Sequence, residues 1–128
     1  MIELLKLHHV SFSSQDLAAS RAFFGGVLGL EEISRPGFQF PGAWYALGDR
    51  QLHIIENRDP EAAAAASRLS RSDHVALEVA DIEAVRRTLE HHGVPVQPGG
   101  NRNLGMAQLF CHDPDGHVIE FVQYGVGE

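Results

Sequence analysis

Leu7-His8-His9-Val10-Ser11-Phe12 and Ser72-Asp73-His74-Val75-Ala76-Leu77 decide the fold, because in each copy an aspartate follows the histidine, His9 or His74, seven positions later, at Asp16 and at Asp81. The offset from His9 to His74 and from Asp16 to Asp81 is 65 residues in both cases (74 − 9 and 81 − 16). A unit of that length used twice places the same imidazole twice, in positions that a pseudo-two-fold brings together.

Working outward, residues 5 to 13 alternate, with Leu5, Leu7, His9, Ser11 and Ser13 on one face and Val10 and Phe12 on the other, which reads as a strand. Asp16 is the expected N-cap of a helix whose apolar stripe is Leu17, Phe24 and Leu28 and whose stop is Gly29. Gly25-Gly26 works against the last turn, since an interior glycine costs about 1 kcal/mol relative to alanine. Short strands follow near 31–35, 43–48 and 51–57. The second half repeats the order, with a strand at 73–80, a helix at 82–92 carrying Ile82, Val85 and Leu89 on one side, Gly93 as its cap, and strands near 94–97, 105–111 and 117–124. Asp113-Pro114-Asp115-Gly116 is a strong turn signal, matched in the first half by Gly48-Asp49. Aligned on those turns, Gln51-Leu52-His53-Ile54-Ile55 falls opposite Val118-Ile119-Glu120-Phe121-Val122, so His53 and Glu120 occupy matching positions among apolar neighbours.

The expected fold class is therefore α+β, with two βαβββ modules at about 4–57 and 73–124 and a linker at about 58–72 that contains Arg58-Asp59-Pro60-Glu61 and the run Ala62 to Ala66. At 128 residues the two modules fit one domain. A content of 44% hydrophobic and 21% charged residues is that of a water-soluble chain, and no run approaches the roughly 18 apolar residues of a spanning helix. The N-terminus has no basic segment leading into a hydrophobic one, so a cytoplasmic location is expected. A formal charge of −7, with ten Lys and Arg that form no dense patch, disfavours nucleic acid as a partner.

Cys111 is the only cysteine, which excludes an internal disulfide and a thiolate cluster, so a metal would be held by histidine and carboxylate. His9, His53, His74 and Glu120 come from the first and fourth strands of the two modules, on the face turned away from the helices. Such nitrogen and oxygen donors suit Ni²⁺, Mn²⁺, Fe²⁺ or Zn²⁺, and burial of the carboxylate without a cation would be costly. Trp44 and Tyr45 are pocket candidates, of which alternation allows one to line the site. His8, His91, His92, His112 and His117 need no ligand role, and Gln108 and Arg102 are left outside the site.

The chain resembles the vicinal oxygen chelate superfamily, also called the glyoxalase, bleomycin-resistance and dioxygenase superfamily, across residues 4–124. The resemblance rests on His9-Val10, Asp16-Leu17, Phe23-Phe24 and Val27-Leu28-Gly29-Leu30 at the start, and on Asp113-Pro114-Asp115-Gly116 with Ile119-Glu120 at the end. It implies a cupped mixed sheet with helices on its outer face, commonly completed in a homodimer, with the metal inside the cup. The family's ligands then fall on His9, His74 and Glu120, and the fourth corner on His53, where glyoxalase I proteins typically carry a glutamate that can transfer a proton. Glu120 is left as the catalytic group. The resemblance implies a metal-dependent lyase or isomerase acting, through an enediolate-like intermediate, on a small molecule with adjacent oxygens, such as a thiol adduct. Four protein ligands leave room for substrate on a five- or six-coordinate ion, which favours Ni²⁺, Mn²⁺ or Fe²⁺ over a closed zinc site. The alternatives are an Fe²⁺ ring-cleaving dioxygenase using His9, His74 and Glu120 alone, and a metal-free protein that sequesters an antibiotic-type small molecule.

Overall fold

Strand β1 (His9–Ser14) turns Phe12 and Ser14 toward the helix that follows it, and leaves His9 and Ser11 on the opposite face. The computed structural model describes residues 3, 5–59, 74–101 and 105–125. Asp16 is extended, and its side chain accepts the Ala19 N–H at 3.2 Å, which starts helix α1 (Leu17–Arg21). The helix then widens into a π-helical segment (Ala22–Val27) rather than running on as one α-helix: the Leu28 N–H reaches back five residues to the Phe23 carbonyl at 2.9 Å. Gly25-Gly26 lowers the cost of leaving α geometry, and the wider turn buries the consecutive rings of Phe23 and Phe24, edge to face at 5.0 Å. Gly29, at φ +74°, ends the segment, as the sequence indicates. Strands β2 (Glu32–Ile33), β3 (Gly42–Leu47) and β4 (Arg50–Glu56) complete a sheet ordered β1-β4-β3-β2, parallel at β1/β4 and antiparallel elsewhere. Phe24 packs between Phe12 of β1 and Tyr45 of β3, so the core of this unit lies between helix and sheet.

The second unit repeats the plan. After β5 (Val75–Glu78), the Asp81 side chain accepts the N–H groups of Glu83 and Ala84 and caps helix α2 (Ile82–His91). Gln123 on the last strand accepts the Ile82 N–H at 2.8 Å, which ties the start of α2 to the sheet. Strands β6 (Gln97–Asn101), β7 (Met106–His112) and β8 (Val118–Tyr124) form a sheet ordered β5-β8-β7-β6, parallel at β5/β8 and antiparallel elsewhere. Leu89 of α2 and Leu109, Cys111, Ile119 and Phe121 of the sheet are buried together as its core. In the closing turn, one carboxylate oxygen of Asp113 accepts the N–H groups of Asp115 and His117.

The chain therefore consists of two βαβββ units, each with its own four-stranded mixed sheet, which divide between Ala63 and Ala64. Three boundaries differ from expectation for local reasons. Strand β1 begins at His9 and not at residue 5, and Leu5 and Leu7 stand exposed before it. The second strand shrinks to Glu32–Ile33. Strand β6 starts at Gln97 and not near 94, because the Val94 N–H closes the end of α2 on the Leu89 carbonyl at 2.9 Å, with Gly93 at φ +71° between them. Most of the linker, and Arg102, lie outside the described residues. No helix among the described residues is long and apolar enough to cross a membrane.

Candidate metal centre

In the first unit, register and alternation gather the site-bearing side chains on the sheet face that the helix does not cover. His53 lies on β4 between two partners, Ser11 of β1 and Trp44 of β3. Its ring is stacked on His9 at 3.9 Å and 18° and on Trp44 at 3.9 Å and 1°, so the imidazole is held between two other rings and buried. Its Nε2 meets Oε1 of Gln51, on the same face of the same strand, at 2.8 Å. A carbonyl oxygen only accepts, so Nε2 carries the proton and Nδ1 holds the free lone pair of the neutral ring. Burial pushes the His53 pKa down, and the nearby His9, His8 and Arg35 add to the effect. His9 itself is exposed, with its Nδ1 2.9 Å from Nδ1 of His8.

In the second unit His74 stands just before β5, and β5 pairs with β8 so that Ala76 faces Glu120. This is the counterpart of Ser11 facing His53, and Phe110 facing Glu120 is the counterpart of Trp44 facing His53. Each unit thus offers a histidine two residues ahead of a small residue whose strand partner is the second donor. His74 Nε2 lies 3.1 Å from Oε1 of Glu120, and Gln108 donates from Nε2 to the other oxygen at 3.0 Å. Glu120 is buried, with both carboxylate oxygens engaged.

These donors differ in how they suit a divalent ion. Two ligand atoms at right angles on an ion about 2.1 Å away are roughly 3.0 Å apart, so His74 and Glu120 already stand at the spacing of adjacent ligands. The lone pairs of an imidazole lie in the ring plane, and those of two stacked rings run side by side without meeting. One ring of the His9/His53 pair must therefore turn out of the stack before both can hold one ion. Among the described residues no group of three or more His, Cys, Asp or Glu side chains stands at metal-binding spacing, so the structure brings the expected four together as two pairs, one in each unit.

The sheet puts Trp44 and Tyr45 on opposite faces. Trp44 shares the face of His53, whereas Tyr45 is turned to the helix side and buried against Phe24; burial, with Glu32 nearby, raises its pKa. Cys111 is a core residue whose thiol burial pushes up to about 12, which removes it as a nucleophile. Gln51 was not singled out in the sequence, and Gln108 was left outside the site, yet each is hydrogen-bonded to a candidate ligand. Counting back from the Asp113–Gly116 turn gives the hairpin register, Gln108 opposite Val122 and Phe110 opposite Glu120, and would have placed Gln108 beside the carboxylate.

The family model of the Glyoxalase/Bleomycin resistance protein/Dioxygenase superfamily matches residues 6–121, and the chain belongs to that superfamily. Among its relatives, a protein of Arabidopsis thaliana named Glyoxylase I 4 is 31% identical over 93% of this chain and 71% of its own length. A lactoylglutathione lyase of Neisseria meningitidis is 30% identical over 97% of this chain and 94% of its own length. Among solved structures, a glyoxalase family protein from Bacillus anthracis superposes with a TM-score of 0.81 at 23% identity, covering 97% of this chain and 98% of that one, a likeness of fold.

Proposed function

We propose that this chain is a metal-dependent lyase or isomerase that acts on a small molecule with adjacent oxygens, such as a thiol adduct of a dicarbonyl, and that His9, His53, His74 and Glu120 are its metal ligands. The observation that carries the reading is the equivalence of the two pairs in strand register, Ser11 with His53 and Ala76 with Glu120, each with a histidine two residues earlier. The names of the relatives at 30–31% identity support the lyase assignment.

A bound divalent ion would supply electrostatic stabilisation of the negative charge that develops on neighbouring substrate oxygens. The remaining work falls to the chain's own side chains. Glu120 would carry the proton: Gln108 holds Oε2, and Oε1, which lies against His74, would have to leave that position to take a proton from the substrate carbon and return it to the adjacent one. His53, neutral because it is buried, can offer Nδ1 to the ion while Gln51 keeps Nε2 protonated. The enzyme is proposed to work as a cytoplasmic homodimer.

The direct test is formation of the thioester from methylglyoxal and glutathione with Ni²⁺, Mn²⁺, Fe²⁺ or Zn²⁺ added in turn. Turnover is expected with at least one ion and is expected to drop by about 10²-fold or more in Glu120→Gln, on the scale of losing a general base. Absence of thioester with every ion would reject the lactoylglutathione lyase form of the proposal.

A second reading has its own observation. His53 is fixed between two rings and hydrogen-bonded to Gln51, an arrangement better suited to an acid or base beside the ion than to a ligand. His9, His74 and Glu120 would then form the two-histidine, one-carboxylate set of an Fe²⁺ dioxygenase. Oxygen uptake with a catechol under Fe²⁺ is its signature. A sequestering role predicts instead that His74→Ala leaves ligand affinity intact.

A further inference from the structure

The loop between β2 and β3 carries an arrangement that neither ligand pair explains. Phe38 and Phe40 are stacked at 5.1 Å and 17°, yet both are close to half exposed, at 47% and 45%. The Arg35 guanidinium sits 5.0 Å from the centre of one ring and 4.8 Å from the other, and its Nη2 donates to the Phe40 carbonyl at 2.8 Å. Its Nε is buried and has no partner among the described residues. Gly42 makes room for this arginine: a Cβ there would meet the Ile54 carbonyl oxygen at 2.5 Å and Nη2 of Arg35 at 2.9 Å. Phe38 continues to Trp44 at 6.1 Å, Trp44 to His53, and His53 to His9. Five rings thus run in one row, from two open phenyl groups to the imidazole pair.

Two phenyl groups stacked on each other beside an arginine, each still close to half exposed, present ready-made apolar ring surface. Such surface favours a planar π system, which stacks on it without further loss of side-chain freedom. A ligand stacked on the phenyl end with its polar end toward Trp44 would have that end on the side of the row where His53 and His9 stand. We infer that Arg35, Phe38, Phe40 and Trp44 form a subsite for an aryl substituent, and that the substrate is a small aryl compound whose neighbouring oxygens adjoin the ring. This rests on the proposed role of His9 and His53 as ligands and narrows the substrate class of that same site.

Benzohydroxamate and acetohydroxamate test it, because they carry the same chelating pair of oxygens and differ in phenyl against methyl. Binding is followed by the emission of Trp44, the single tryptophan of the chain. In Mn²⁺-loaded protein, benzohydroxamate is expected to bind about ten-fold or more tightly than acetohydroxamate, the scale of burying and stacking one added ring. Phe38→Ala/Phe40→Ala is expected to erase that preference and leave acetohydroxamate affinity unchanged. Phe38→Leu/Phe40→Leu, which keeps apolar bulk and removes the π faces, is expected to leave a residual preference of roughly three-fold. In chelator-treated protein, benzamide is expected to shift Trp44 emission at concentrations where acetamide does not. Equal affinities for the two hydroxamates, or a phenyl preference that survives Phe38→Ala/Phe40→Ala, would overturn the inference. So would a concentration-dependent burial of Trp44 that the alanine variant abolishes, since a second copy would then own these rings. If the metal reading alone is wrong, neither hydroxamate gains affinity from Mn²⁺ while the benzamide response persists; if the aryl subsite alone is wrong, acetohydroxamate still binds only with metal and the phenyl preference is absent throughout.

Discussion

Gln108 and Asp113 show how single side chains set the state of a carboxylate. Gln108 holds one oxygen of Glu120 and leaves the other toward His74, so it would fix the orientation in which the carboxylate meets the proposed ion. Gln108→Ala is expected to weaken divalent-metal affinity about 10–100-fold, as loss of a ligand's hydrogen-bond partner commonly does, with folding intact; calorimetric titration with Mn²⁺ measures it. Asp113 is the opposite case, a structural acid. Burial pushes its pKa up to about 6, against the favourable influence of His117, and its Oδ2 has no partner among the described residues. The folded chain therefore holds this proton more tightly than the unfolded chain, and stability falls as pH rises from about 4 to 6. Asp113→Asn keeps the Oδ1 acceptor and removes the charge. It is expected to gain roughly 1–3 kcal/mol over the parent at pH 7 and to lose that advantage below pH 4, which urea titrations at the two pH values will show. His53 acts in the other direction. Its lowered pKa means that the unfolded chain takes up the proton first, so its contribution is complete above the free histidine value and is lost as pH falls below it. At this scale the sequence was partly legible. Strand parity assigned His9 and His53 to the face away from the helix, but parity alone left Trp44 and Tyr45 equivalent until the position of Phe24 was known.

Helix starts were legible at the level of elements because the signal is local. Asp16 caps the helix expected from it, its repeat counterpart Asp81 caps the second helix, and the extended backbone is nearly the same in both, at φ −143° and −144°. Asp81 accepts two backbone N–H groups, so Asp81→Ala is expected to cost about 1 kcal/mol. The π-helical segment was not legible, since its register depends on burying Phe23 and Phe24 side by side in the tertiary core. Gly25-Gly26 marked only that the helix would be weak there. Gly26 has open space around its missing Cβ and no positive φ, so Gly26→Ala is expected to stabilise by about 0.5–1 kcal/mol. A fall in melting temperature would show instead that the wide turn depends on glycine at that position. The shift of β6 has the same kind of cause. Val94 looks like a strand residue by composition, but its N–H is spent on closing α2.

At the scale of the molecule, duplication is what made the fold readable. An offset of 65 residues between two histidines and between two aspartates predicted two copies of one topology, and the sheets have matching strand orders and matching parallel and antiparallel pairs. The candidate metal site was less readable, because the sequence names donors but not ring orientation: it did not show that His9 and His53 stack, nor that Gln51 holds Nε2. The account rests on the two pairs acting together on one ion. Elemental analysis of protein purified without added metal, and again after saturation and desalting, tests this most directly. One divalent ion per chain is expected, falling to less than about a tenth in His74→Ala/Glu120→Gln and equally in His9→Ala/His53→Ala, as loss of two ligands requires. A chain that retains no ion after saturation, or whose ion survives removal of either pair, would contradict it.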